Sequence, residues 1–238
     1  MTDSQRTAIV TGAAAGIGRA TATRLVAGGW RVVGIDRTDA ASDGVDLVVG
    51  DCCDSPVLEE AIERAGASLD ALVCSAGIPP TGPWHSREHW DEVVRIDLSA
   101  AYEAMRLCWP RLVAARGSAV LVGSIVGSLE GSLRSPAYAA AKAGLEGLAR
   151  SMAVIGATDG VRVNVVAPGA IATDFDERLL PADHRTDVPQ GRMGTADEVA
   201  GVIAYLIGPE ASYVTGAVWT VDGGRTVLST ADAARLGG

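Results

Sequence analysis

The chain has 238 residues, with 20 Lys+Arg against 29 Asp+Glu, a formal net charge of −9 and an isoelectric point near 4.8. An apolar fraction of 48% and a mean hydropathy of +0.22 describe a globular chain, long enough to bury roughly 70–75% of its unfolded surface. The acidic balance and 4% aromatic content exclude a surface built to displace nucleic-acid counterions or to stack bases; the longest run free of charge, Ala71–Ser86, is 16 residues broken by three prolines and too short to span a bilayer.

In chain order, an apolar run over Thr7–Thr11 predicts a first strand and Ile17–Gly28 a helix. Strands follow at Arg31–Asp36 and Val45–Val49, a helix at Pro56–Ala65, a strand at Ala71–Cys74 and a long helix over Arg87–Arg116. The second half predicts a strand at Ser118–Ser124, a helix at Pro136–Thr158, a strand at Val161–Ala167, a helix at Ala196–Ile207 and a last strand at Val218–Val221. Most of these strands are apolar throughout and do not alternate, the pattern of strands covered on both faces. Strand–helix alternation with right-handed crossovers implies an α/β fold. The expectation is one Rossmann-type domain over residues 1–238, a doubly wound parallel sheet of about seven strands with helices on both faces.

The one compositional break is Ala170–Gln190, which carries Asp174, Asp176, Glu177, Asp183, Asp187, two arginines, His184 and two prolines. It reads as an excursion over the sheet edge, a candidate substrate loop reaching to about residue 195. Cys52, Cys53, Cys74 and Cys108 form no C-x-x-C pair, so neither a metal site nor a disulfide is predicted, and reduced thiols in a cytoplasmic protein are expected. The start of the sequence lacks the apolar stretch of a signal peptide. His85, His89 and His184 have no carboxylate or Cys partner at ligand spacing and read as surface or rim residues.

The first strand runs into Thr11-Gly12-Ala13-Ala14-Ala15-Gly16-Ile17-Gly18, where a helix opens. Gly12 permits a tight turn, Gly16 removes a Cβ where a pyrophosphate must approach, and Gly18 lets the helix pack closely on the strand. The helix N-terminus offers free N–H groups and the positive end of its dipole to phosphates. Asp36 ends the next strand, 18 residues past Gly18, where a carboxylate can accept both ribose hydroxyls of an adenosine and repel a 2′-phosphate. That favours NAD over NADP, although the neighbouring Arg37 could pair a 2′-phosphate.

Tyr138-Ala139-Ala140-Ala141-Lys142 places a phenol and an ammonium at i and i+4 on one helix. A phenol with a pKa near 10 is a poor base at neutral pH, and an adjacent ammonium lowers that value. Tyr138 can then take a proton from an alcohol or give one to a ketone. Ser124, at the end of the preceding strand, can hold the substrate oxygen; Ser128 and Ser132 lie in the same connection and could exchange with it. Lys142 is also the one lysine among 20 basic residues, so its position four residues after Tyr138 has a chance probability of about one in twenty.

The T-G-x-x-x-G-x-G spacing and the Tyr-x-x-x-Lys pair together resemble the short-chain dehydrogenase/reductase family of the classical type, from about Arg6 to Arg225. The resemblance implies a cofactor site at Gly12, Ala15, Gly16, Ile17, Gly18, Asp36 and Arg37. It further implies Asp51 as the reader of the adenine amino group and Cys52 as a backbone contact. Ser75, Ala76 and Gly77 close the cofactor side, and Pro168, Gly169, Ile171 and Thr173 meet the nicotinamide end, with Tyr138 and Lys142 shared with the chemistry. It departs at two places. The fourth strand ends Cys74-Ser75-Ala76-Gly77 where relatives carry Asn-Asn-Ala-Gly, and Asp97 stands where they carry a catalytic Asn. An Asp there could accept from the water that connects the lysine to solvent, but its charge opposes ionisation of Tyr138 and favours the charged form of Lys142.

The expected function is an NAD(H)-dependent oxidoreductase acting on CH–OH groups, with Ser124, Tyr138, Lys142 and Asp97 as the catalytic set and a small alcohol or ketone as substrate. Hydroxysteroid dehydrogenase or carbonyl reductase specificity is a narrower alternative. A non-catalytic dinucleotide-binding protein is a second, and Asp97 is the feature that favours it. The resemblance also implies a homotetramer, with a dimer as the smaller alternative, and neither a nucleic-acid nor a membrane partner.

Overall fold

Most of the predicted strands are composed so that both faces must be covered, and the computed structural model supplies that cover. It describes residues 5–133, 135–173 and 188–228. The strands are β1 (Thr7–Thr11), β2 (Arg31–Asp36), β3 (Val45–Val49), β4 (Ala71–Cys74), β5 (Ser118–Val122), β6 (Arg162–Pro168), two short strands β7 (Ile171–Ala172) and β8 (Gly194–Thr195), and β9 (Val218–Val221). Every residue of β1, β4 and β5 is buried. Seven strands form one parallel sheet in the order β3-β2-β1-β4-β5-β6-β9.

The helices are α1 (Gly16–Ala27), α2 (Ser55–Ala65), α3 (Arg87–Val94), α4 (Ala100–Ala115), the single turn α5 (Ile125–Ser128), α6 (Pro136–Gly156) and α7 (Ala196–Ile207). Two apolar layers sandwich the sheet. Leu58, Met105, Leu112, Leu145 and Ala149 pack α2, α4 and α6 on one face; Ala22, Leu25, Val199, Ile203 and Leu206 pack α1 and α7 on the other. The order reverses between β1 and β4, whose ends meet in register at Thr11 and Cys74, and the crevice beyond those ends is where open α/β sheets bind ligands.

Two differences from the sequence expectation bear on the site. The helix expected over Arg87–Arg116 is interrupted by a wide π turn at Arg95–Ser99. No glycine or proline causes it. The wide turn instead directs two consecutive side chains, Ile96 and Asp97, into the interior, which a regular helix of 100° per residue does less readily. The strand expected to reach Ser124 stops at Val122, because the Ser124 hydroxyl turns to accept from the Val126 N–H at 3.1 Å and caps α5. Of the candidate substrate loop, residues 174–187, with the five acids and His184, lie outside the described residues. Its two ends are tied by the parallel β7–β8 pair, Ile171 opposite Gly194 and Ala172 opposite Thr195.

Candidate active site

The glycine turn is built for close approach. Gly12 has φ +71° and Gly16 φ +51°, both in the left-handed region where a side chain is strained. A Cβ on Gly18 would lie 2.0 Å from the Gly12 carbonyl oxygen, so only glycine lets α1 start this close to β1. Helix α1 has Ala15 at its N-cap and no side-chain cap, whereas α3, α6 and α7 are capped by Ser86, Ser135 and Thr195. First-turn N–H groups left without a side-chain acceptor, over a turn stripped of Cβ atoms, fit an anionic pyrophosphate.

That turn floors a cavity of about 300 Å3 at the carboxyl ends of the strands. Of the residues singled out in the sequence, Gly12, Ala15, Gly16, Ile17 and Asp36 line it from one side, and Ser75, Ala76 and Gly77 from the β4 end. Ser124, Tyr138 and Lys142 form its far wall, and Pro168, Gly169, Ile171 and Thr173 its remaining edge. Gly18 faces back onto Gly12 and shapes the turn from behind. Arg37, Asp51 and Cys52 line an adjoining cleft shared with Asp36.

Asp36 is held at the rim by two backbone donors, the N–H of Ala14 at 3.0 Å and of Thr38 at 3.0 Å. Asp51 accepts from the Cys53 N–H at 2.9 Å and pairs with Arg95 at 3.2 Å, and these partners hold its carboxyl below the usual range against the effect of burial. Asp51, Cys52 and Cys53 bring their ligand-capable atoms within 4.8 Å of one another. The Cys53 thiol, however, is pushed far above the ordinary range by its hydrogen bond to Cys52 and by burial, so it stays protonated.

At the far wall, Ser135 caps α6 by accepting from the Tyr138 N–H at 3.2 Å, and the four-residue spacing sets Lys142 behind the phenol, with Nζ 5.4 Å from the ring centre. Lys142 donates to the Val122 carbonyl at 3.2 Å and pairs with Asp97 at 3.0 Å. Asp97 itself does not line the cavity; it reaches Lys142 from below, and its second oxygen accepts from the Ile78 N–H at 3.3 Å. Burial pushes the Asp97 carboxyl above the ordinary carboxylate range although Lys142 pulls it down. Burial would lower the Lys142 ammonium, but Asp97 and Tyr138 hold it above its ordinary value. The pair thus keeps its protons more firmly than either group would in water.

Sequence reasoning missed four contributors. Thr11 Oγ1 accepts from the N–H groups of Ser75 and Ala76, both at 3.1 Å, tying the two strand ends together. The Val122 carbonyl orients Lys142, and Arg95 anchors Asp51. His89, read as a rim residue, lies 3.3 Å from the Ser135 hydroxyl that caps the helix of Tyr138. Of these, only the threonine before the first glycine carries a local sequence signal.

The comparisons with known proteins agree with this architecture. The family model described as enoyl-(acyl carrier protein) reductase matches residues 12–226. The chain is 39% identical to cis-4-hydroxycyclohexanecarboxylate dehydrogenase of Sinomonas cyclohexanicum, over 94% of this chain and 98% of that one. It is 35% identical to 3-oxoacyl-(acyl-carrier-protein) reductase FabG of Salmonella typhimurium, over 93% and 97%. Among solved structures, the ligand-free aldohexose dehydrogenase of Thermoplasma acidophilum superposes with a TM-score of 0.87 at 28% identity, over 95% of this chain and 96% of that one. The chain is an oxidoreductase of a family that binds nicotinamide dinucleotides: it belongs to the classical short-chain dehydrogenases/reductases.

Proposed function

We propose that the chain is an NAD(H)-dependent oxidoreductase that interconverts a secondary alcohol and a ketone, with Tyr138 as its acid and base. The observation that carries this reading is convergence: a side-chain-free phosphate cradle and the Ser124, Tyr138 and Lys142 side chains line one cavity. The nicotinamide, when bound, supplies or accepts the hydride.

This chain's residues do the rest. Ser124 holds the substrate oxygen beside the phenol, and Tyr138 gives that oxygen a proton in reduction or takes one in oxidation. Lys142, fixed by the Val122 carbonyl and Asp97 with its Nζ 5.4 Å from the ring centre, acts on the phenol electrostatically. Asp36 accepts from the adenosine ribose hydroxyls and repels a 2′-phosphate, which selects NAD; its two backbone donors support this by fixing the orientation of the carboxylate at the rim. Asp51 and Cys52 meet the adenine, Ile171 and Thr173 the nicotinamide amide, and the segment at about 170–195 covers the substrate. The reading includes a cytoplasmic homotetramer.

The dehydrogenase relative acts, by its name, on a hydroxylated cyclohexane, which favours ring alcohols among the candidate substrates. The test is NADH and NADPH turnover over a panel of cyclic, aryl and steroid ketones and alcohols, with and without a carboxylate. Tyr138→Phe should lose about 10²–10⁴ of kcat; full activity in that variant sinks the mechanism, and a preference for NADPH sinks the role of Asp36. Tight NADH binding without turnover on any member would favour a non-catalytic dinucleotide-binding protein.

A further inference from the structure

We propose that Asp97 is a positioning residue that holds the Tyr138 phenol in its protonated form at neutral pH, so that this active site is set for ketone reduction and oxidises alcohols efficiently only at alkaline pH. The inference rests on the reading of Tyr138 as acid and base, and it deepens that reading by assigning a direction.

The geometry is specific. Asp97 sits in the π turn with its side chain fully out of solvent, and Lys142 is nearly as enclosed. Their charged atoms are 3.0 Å apart. The backbone makes room for this contact: a Cβ at Gly77 would stand 2.6 Å from Asp97 Oδ1 and 3.4 Å from Lys142 Nζ, so glycine at 77 is what lets the carboxylate reach the ammonium. The Ile78 N–H holds the second carboxylate oxygen in the same orientation.

A lone ammonium behind a phenol stabilises the phenolate. An ammonium paired at 3.0 Å with a carboxylate is a dipole, whose field falls off faster and whose negative end opposes ionisation. Titratable groups of the neighbouring described elements include His89, Glu146, Glu130 and Cys74. His89, on α3, contacts the Ser135 cap. Glu146, further along α6, hydrogen-bonds to Ser128 and pairs with Arg150 at 3.3 Å. Glu130, past Ser124, pairs with Arg225 at 3.0 Å. Cys74, at the end of β4, is a buried thiol held protonated.

In reduction, the carbonyl carbon takes the hydride while the phenol O–H bond breaks and its proton passes to the carbonyl oxygen. Solvent then returns a proton to the phenolate. A phenol that is protonated at rest is the competent form for that direction, and the incompetent one for taking a proton from an alcohol.

The experiment compares wild type, Asp97→Asn and Tyr138→Phe. The pH–rate profiles of oxidation and reduction are measured with NAD(H), and the phenolate absorbance of the protein without cofactor is titrated, with Tyr138→Phe subtracted. Asp97→Asn should lower the Tyr138 midpoint and the acid limb of oxidation by about 1–2 pH units, raising the oxidation-to-reduction ratio at neutral pH about tenfold or more. Should Asp97→Asn not fold, Asp97→Ser carries the same expectation. Coincident wild-type and variant midpoints, or a midpoint that rises, overturn the proposal. Turnover that survives Tyr138→Phe overturns the underlying reading instead; lost turnover with an unmoved midpoint removes this inference alone.

Discussion

Two carboxylates, one buried and one at the surface, each face a cation at hydrogen-bonding distance, and they titrate in opposite directions. Asp97 stands 3.0 Å from Lys142 beneath the reacting wall, and its carboxyl is pushed up. Glu198 stands 2.6 Å from Arg192 at the exposed rim of the molecule, where α7 follows the short strand β8, and its carboxyl is held down to about 2. The partner distance does not decide the outcome; water does. Glu198 keeps its solvation and adds the Arg192 hydrogen bond and the N–H of Thr195 to it. Asp97 loses nearly all its solvation and recovers part of it from one ammonium and one N–H. The rim pair fastens structure, whereas the floor pair stores a charge arrangement the chemistry can use.

Breaking the floor pair gives the largest expected effect. Lys142→Met leaves the Asp97 carboxylate buried without a cation and should cost about 3–5 kcal/mol at neutral pH in urea denaturation. With Lys142 gone, the folded-state pKa of Asp97 stays above its unfolded value. The penalty is therefore full above the folded value and fades as pH falls to the ordinary carboxylate range. A cost that does not shrink on acidification would mean lost packing, not an unpaired charge.

The cradle breaks by volume, not charge. Gly18→Ala puts a Cβ 2.0 Å from the Gly12 carbonyl and should destabilise by about 1–3 kcal/mol while weakening NADH binding, read by thermal unfolding and by NADH fluorescence titration. Unchanged NADH affinity would show that the turn relaxes without moving the phosphate site.

These contrasts follow what could be read from residues alone. The cradle and the Tyr138–Lys142 pair are local, one strand–turn–helix and one helical turn, and both were legible with their elements placed to within a residue or two. Asp97 was flagged by its resemblance position, with the direction in which it moves Lys142. Its π turn and its contact through the notch at Gly77 were not legible, because they depend on packing between residues 20 and 45 positions apart. The same holds for Arg95 with Asp51, 44 residues apart, and for His89 with Ser135, 46 apart. Adjacent cysteines without C-x-x-C spacing gave no hint that the ligand-capable atoms of Asp51, Cys52 and Cys53 converge within 4.8 Å of one another.

The α6 cap joins the two kinds of contact. Ser135→Ala removes the acceptor for the Tyr138 N–H and the partner of His89, and should cost about 1 kcal/mol by denaturant midpoint. Because the cap fixes the first turn of the helix that carries the phenol, kcat should fall while KM for the cofactor holds. A loss of stability with kcat intact would make the cap structural only.

The rim pair gives the smallest effect and the sharpest comparison. Glu198→Gln keeps the reciprocal Thr195 cap, since Gln can still accept from the Thr195 N–H, and removes only the charge facing Arg192. At neutral pH the variant should unfold close to wild type, because an exposed pair is screened by solvent. The sign is opposite to that of the floor: a folded-state value of about 2 lies below the ordinary value of 4.5, so the contribution is fully present above 4.5 and is lost as pH falls through about 2. The difference in Tm between wild type and Glu198→Gln should therefore be small and positive at neutral pH and close across that window. A difference that grew on acidification would mean the Glu198 charge opposes folding, and the contrast between rim and floor would fail.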